Sequence, residues 1–158
     1  MQWKSERVSV VEAHLGYWLH YVSYHVCHEL CLRLQKFGVT AAEWIVLRAL
    51  YEGAAMPSRL ASRLGVTRGA ISKLAARLDA KELISREQCP SDRRAQLLTL
   101  TVFGRVLVPS LAALADQVDA RNFAGMDRAS RQTIRQVMTW IIQRDRLRFV
   151  PLDRDRSV

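Results

Sequence analysis

The chain has 158 residues, 49% of them apolar, and a formal net charge of +9. That apolar content is enough for a real core in one compact unit and excludes global disorder. No uninterrupted apolar run reaches the roughly 18 residues that span a bilayer, and Met1 to Arg7 are not followed by a signal-peptide apolar region, so the expected setting is the cytoplasm, without a membrane partner.

From Val8 to Phe37 there is no proline, and Leu15, Leu19, Val22, Val26, Leu30, Leu34 and Phe37 recur at helical spacing. The pattern predicts one helix on the order of 40 Å long. Such a stripe needs a second subunit or other helices to cover it. The same stretch carries aromatics, with Tyr17, Tyr21, Tyr24 and His28 on one face and Trp18, His20 and His25 among them. Cys27 and Cys31 lie one turn apart. A closed zinc site wants four convergent ligands, and one straight helix brings only two or three of these side chains to a face, so the cysteines are read as apolar fillers with no metal or cofactor. Three cysteines, Cys89 being the third, do not make a disulfide framework.

Gly38 ends that helix, and Thr40 to Glu43 has the form of a capping box. The next helix runs to about Glu52, burying Trp44, Leu47 and Leu50 or Tyr51. Gly53 closes it, and Pro57 suits the first turn of another helix. A short helix from Ser58 to Leu64 places Leu60, Ala61 and Leu64 on one face, and Gly65 stands where a left-handed terminating residue is needed. Thr67 is positioned to cap a second helix, whose buried face is Ala70, Ile71, Leu74 and Leu78. Its other face, Arg68, Gly69, Ser72, Lys73 and Ala76, is small, polar and basic, as a helix approaching a DNA groove requires. Leu83 to Glu87 and Ala95 to Leu100 then read as two strands around the turn-rich stretch Gln88 to Arg94. Asp92 lies two residues before Arg94, close enough for a carboxylate to orient a guanidinium for a minor groove.

Helix, turn, basic helix, strand, charged turn and strand make a winged helix-turn-helix. Charge distribution supports a nucleic-acid partner: residues 55–105 hold 10 Lys and Arg against 4 Asp and Glu, whereas residues 1–54 balance at 5 against 5. Beyond the hairpin, Val102 to about Arg121 carries Val106, Leu107, Leu111, Leu114 and Val118, with Pro109 predicting a kink or a delayed start. After Met126 and Asp127 a last helix carries Ile134, Val137, Met138, Ile141 and Ile142. The fold class is thus mainly α with a small β-hairpin wing, divided into an N-terminal helix (1–37), a DNA-binding domain (38–101), C-terminal helices (102–147) and a tail of mixed charge (148–158) expected to be mobile.

The run VTRGAISKLAARLDAKELISREQCPSDRRAQLLTLTVFGR resembles the MarR family of bacterial transcription regulators, above all in Asp92-x-Arg94 and in the LTLT segment before the next helix. The resemblance implies a homodimer whose terminal helices interlock, a pseudo-palindromic double-stranded operator, and repression released by a small molecule. In that family the effector cavity lies between dimer helices and winged domain, which makes Tyr17, Trp18, Tyr21, Tyr24, His25, His28 and Arg48 the expected pocket for a small aromatic anion. The expected DNA contacts are Arg68, Ser72 and Lys73 on bases and phosphates, Ser58, Arg59 and Arg77 on the backbone, Thr67 and Gly69 at the helix entrance, and Asp92, Arg93 and Arg94 in the wing. No nucleophile with a base, carboxylate pair or phosphate loop points to an enzyme; Gly65 to Gly69 lacks the Lys-Ser/Thr of a phosphate loop. A metal- or thiol-responsive DNA-binding sensor and a protein-interaction module reusing the wing are the alternatives.

Overall fold

The computed structural model describes residues 9–89 and 92–147; of Cys89 and residues 92–95 it describes the backbone alone. The expected tail, 148–158, lies outside the described residues. The first helix, α1 (Leu15–Gln35), begins later than its apolar rhythm suggests. Before it comes a 3-10 turn, Val11–Ala13, and His14 is extended at φ −96°, ψ 121°. The β-branched pair Val10 and Val11 favours that departure, and side chains reinforce it: Ser9 Oγ meets His14 Nε2 at 3.1 Å, and Trp18 Nε1 donates to the Glu12 carbonyl at 2.8 Å. With 21 residues, α1 spans about 31 Å rather than 40 Å.

Helix α2 (Ala41–Tyr51) starts at the expected capping box: Glu43 N–H donates to Thr40 Oγ1 at 3.2 Å, and Thr40 N–H donates to Glu43 Oε2 at 2.9 Å. Trp44, Leu47 and Leu50 are buried, whereas Tyr51 is exposed. Pro57 opens α3 (Pro57–Leu64), and Gly65 ends it at φ 67°, a conformation that costs glycine nothing. Thr67 caps α4 (Arg68–Ala80), its hydroxyl accepting from Ala70 N–H at 3.1 Å. Ile71, Leu74, Ala75 and Leu78 are buried; Ala70 is only half-buried.

Strands β1 (Ile84–Cys89) and β2 (Asp92–Leu100) form an antiparallel hairpin, Ile84 opposite Leu100 through Gln88 opposite Gln96. Both strands reach further towards the tip than expected, so residues 92–94 belong to β2 rather than to the turn. The register slips between Gln88 and Cys89, because Cys89 pairs with Asp92, and residues 93–95 fall in the irregularity. Ala55 adds a one-residue third strand, exchanging two 3.0 Å hydrogen bonds with Leu98.

The core joins the end of α1, α2, α3, the inner face of α4 and the hairpin base to the long helix α5 (Val102–Asn122). That helix starts without delay despite Pro109, whose exposed position lies outside the core contact. It turns Gly104, Val108, Leu111 and Val118 inward, so the expected core residue Val106 is instead exposed, and Leu107 and Leu114 are half-buried. Gly104 sits against the Leu83 carbonyl, where an added Cβ would fall 2.0 Å from the oxygen. That approach sets which face of α5 looks inward.

Glu29 of α1 ties the two long helices, accepting from Asn122 Nδ2 at 2.7 Å and pairing with Arg121 at 3.2 Å and Arg33 at 2.7 Å. Asn122 foremost, with both guanidiniums, holds its carboxyl below the usual range against a partial burial effect. The last helix, α6 (Arg128–Arg144), begins at Asp127, whose Oδ1 accepts from Ser130 N–H at 2.9 Å. Its apolar stripe has no buried member: Ile134 is 41% exposed, Val137 50% and Ile142 50%. The outer half of α1 is similar, with Leu15 79% and Tyr21 65% exposed. Among the described residues no helix is long and apolar enough to cross a membrane.

Candidate nucleic-acid interface

The outer face of α4 is small, polar and basic. Arg68, Gly69, Ser72, Lys73, Ala76 and Arg77 are exposed there, and Thr67, Gly69, Lys73 and Arg77 line one open groove along the helix. Gly69 has open space at its missing Cβ apart from an ordinary 4.0 Å contact with Thr67 Oγ1, so backbone can approach a ligand closely at this turn. Ser58 and Arg59 are exposed on α3, Arg59 lining a second groove with Glu52, Gly53 and Arg63. Arg59, Arg68 and Lys73 form no ion pair with the described residues. Three cations uncompensated among the described residues therefore face solvent on two consecutive helices, the arrangement that attracts phosphates.

Arg77 is different. Its Nε lies 3.4 Å from Glu43 Oε1, and Glu43 is fully buried. Lys81 joins them, its Nζ at 2.9 and 2.7 Å from the two carboxylate oxygens and 2.7 Å from the Gly38 carbonyl. Burial pushes the Glu43 carboxyl up, but Lys81, the Thr40 amide and Arg77 outweigh it and leave the group below its ordinary value. In the sequence, Glu43 is legible as a cap and as the one charge in the run Val39 to Leu47; its role as counter-ion to the far end of α4 is not.

The hairpin packs against α4 through β1. The side chains of Asp92, Arg93 and Arg94 lie outside the described residues, so the expected Asp92 to Arg94 contact is not described. Arg86 near the base is tied to α4, its Nε 3.1 Å from Asp79 Oδ2.

On α1 the expected aromatic stripe is present. Tyr17 stacks with Tyr21 at 6.4 Å between ring centroids, and Tyr24 with His28 at 6.0 Å. Trp18 meets Tyr17 edge-on at 5.3 Å. Tyr17, Trp18, Tyr21, Tyr24 and His25 are exposed and His28 is half-buried. Arg48 is exposed on α2 and paired with Glu52 at 3.1 Å, a carboxylate that also binds Arg63. Cys27 and Cys31 are half-buried and free, with burial first and the neighbouring Cys31 second pushing the Cys27 thiol up. Among the described residues, no three His, Cys, Asp or Glu side chains converge on a metal position.

A sequence model of the MarR family matches residues 37–95, the segment from the end of α1 into the wing. Among solved structures, the Bordetella bronchiseptica regulator BpsR, described with regulation of its DNA binding by 6-hydroxynicotinic acid, is 25% identical at a TM-score of 0.76, over 85% of this chain and 96% of its own. A mutant MarR of E. coli complexed with operator DNA is 23% identical at a TM-score of 0.74, over 81% of this chain and 93% of its own. A probable transcriptional regulator of Pseudomonas aeruginosa is 23% identical at 0.74, over 84% of this chain and all of its own.

Proposed function

We propose that the chain, whose residues 37–95 match the MarR family, is a winged-helix, DNA-binding transcription regulator of that kind, acting as a homodimeric repressor on a pseudo-palindromic operator and released by a small aromatic anion. The observation that carries the DNA reading is the triad Arg59, Arg68 and Lys73 on α3 and α4, unpaired among the described residues. On this reading Arg68, Ser72 and Lys73 reach bases and phosphates from the entrance made by Thr67 and Gly69, and Ser58 and Arg59 hold the backbone. Residues 92–94 enter the neighbouring minor groove.

Dimerisation rests on the uncovered apolar stripes of α6 and outer α1, since large contiguous apolar surface on a small protein marks an interface. Residues 1–37 and 102–147 then form the dimer and residues 38–101 the reading head. Two such heads suit half-sites about 34 Å apart. Sedimentation at micromolar concentration checks this: wild-type protein runs as a dimer, and Val137→Asp with Ile142→Asp runs as a monomer.

The effector reading rests on the stacked, exposed stripe Tyr17, Tyr21, Tyr24 and His28, with Trp18 and His25 beside it. BpsR, whose DNA binding 6-hydroxynicotinic acid regulates, supports a hydroxylated aromatic acid as the class. Arg48 serves such an acid only by exchanging Glu52 for the ligand carboxylate. Titrating 6-hydroxynicotinate and salicylate into the protein bound to its selected duplex tests the whole reading. A hundredfold loss of DNA affinity requires about 2.7 kcal/mol of coupling between the sites. If neither compound binds at millimolar concentration while zinc or an oxidant releases the DNA, a metal- or thiol-responsive sensor replaces the aromatic-effector reading.

A further inference from the structure

The buried carboxylate beneath α4 connects three elements that a reading head must keep in fixed relation. Glu43 stands in the first turn of α2, Lys81 is the residue that ends α4, and the Gly38 carbonyl belongs to the turn leaving α1. Lys81 Nζ donates to that carbonyl at 2.7 Å and to both oxygens of Glu43 at 2.9 and 2.7 Å. Its three protons therefore have three acceptors, the Gly38 carbonyl on one side of the α1–α2 junction and the two Glu43 oxygens on the other. Arg77, one turn earlier on α4, adds a second cation at 3.4 Å.

We propose that Glu43 and Lys81 form a latch that sets the angle of α4 against the α1–α2 junction, making both of them positioning residues for sequence selection on DNA. The latch grips the C-terminal end of α4, whereas Arg68, Ser72 and Lys73 lie towards the other end. Over 13 residues the helix is about 18 Å long, so a pivot of about 10° at the latch moves its N-terminus by about 3 Å. A hydrogen bond to a base edge tolerates a few tenths of an ångström. Phosphate attraction tolerates such a shift far better, because Coulomb energy falls only slowly with distance. Loosening the latch therefore lowers affinity for the preferred sequence and leaves affinity for arbitrary duplex in place. The same contact joins α4 to the end of α1, the helix that carries the aromatic stripe.

This inference rests on the DNA reading above, and the experiment separates the two. Wild-type protein first selects its preferred duplex from a random-sequence pool; binding to that duplex and to poly(dI-dC) is then measured by fluorescence anisotropy at one salt concentration. Two variants are compared at a temperature where circular dichroism shows them folded. Lys81→Met removes the latch from the surface side, leaving Glu43 with Arg77 and the Thr40 amide. Glu43→Gln/Lys81→Met removes both charges, so no buried carboxylate is left unpaired and melting returns to near wild type. In both, the ratio of selected to arbitrary affinity falls at least tenfold, while poly(dI-dC) affinity changes less than twofold. Lys81→Arg, which keeps a cation and its donors, recovers part of the ratio. A ratio unchanged in Lys81→Met overturns the latch, whether or not the double variant folds. A wild-type protein that selects no sequence overturns the DNA reading and the latch with it.

Discussion

Alanine at position 104 pits helix propensity against a close backbone approach, and the two predict opposite signs. Thr101 caps α5 through three contacts: its hydroxyl accepts from Gly104 N–H at 3.0 Å and donates to the Glu82 carbonyl at 2.6 Å, and its N–H donates to the Leu83 carbonyl at 3.2 Å. A Cβ at Gly104 would stand 2.0 Å from that Leu83 oxygen, 3.0 Å from its carbon and 3.2 Å from Leu100 Cδ2. To reach ordinary contact near 3.5 Å the oxygen must retreat by about 1.5 Å. The retreat pulls it off the Thr101 N–H, a loss of about 1 kcal/mol. Overpacking of this kind costs about 1–3 kcal/mol more. Alanine's advantage over glycine in a helix offsets about 1 kcal/mol. The net expectation for Gly104→Ala is destabilisation by about 1–3 kcal/mol, a drop in Tm of roughly 3–10 °C for a chain this long. Urea and thermal unfolding followed by circular dichroism measure it, at one protein concentration because subunit association raises apparent stability. A variant as stable as wild type, or more stable, would show that propensity decides and that the α5 approach to Leu83 carries no constraint.

Arg68→Ala changes which sequences the protein selects, whereas Arg59→Ala weakens all duplexes alike and lowers the slope of log affinity against log salt by about one unit per lost phosphate contact; identical behaviour of the two on selected and arbitrary DNA means the reading face is misplaced. In the wing, Arg94→Ala and Asp92→Ala each reduce operator affinity without changing dimerisation, and the double mutant loses less than the sum; full affinity in Arg94→Ala removes the wing from recognition. The Glu43 carboxyl is held below its ordinary value in the folded chain, so its contribution to stability is complete above the unfolded value of about 4.3 and is lost as pH falls through the lower folded value. Urea midpoints from neutral pH down to the acid range check this, since Glu43→Gln flattens the acid fall and an unaltered profile places the acid sensitivity elsewhere.

Much of the reading head is legible in the sequence, and for a single reason: its signals are local. The Thr40 and Glu43 box, the glycine turn after Leu64, the Thr67 cap and the alternation of faces on α4 each depend on residues within four or so positions of one another, which backbone geometry relates directly. Where local signals compete, the sequence pattern misplaces the ends. Val10 and Val11 carry apolar rhythm but leave the helix, because Ser9 and Trp18 offer side-chain bonds that a helix would forgo. On α5, apolar residues occur on more than one side, so periodicity favours Val106; the approach of the Leu83 carbonyl to Gly104 rotates Val108 inward instead.

By itself, the sequence determined which segments are helix, turn, hairpin and basic face. Which charges remain available was settled by the tertiary structure alone. Among the described residues Arg59, Arg68 and Lys73 stay uncompensated, while Arg77 and Lys81 are drawn to Glu43 and Arg48 and Arg63 to Glu52. Those carboxylates lie 34, 38, 4 and 11 positions away along the chain from their partners. Ion pairing depends on separation in space after the core has closed, and of these pairs only the one four residues apart on a helix could be written down from sequence spacing.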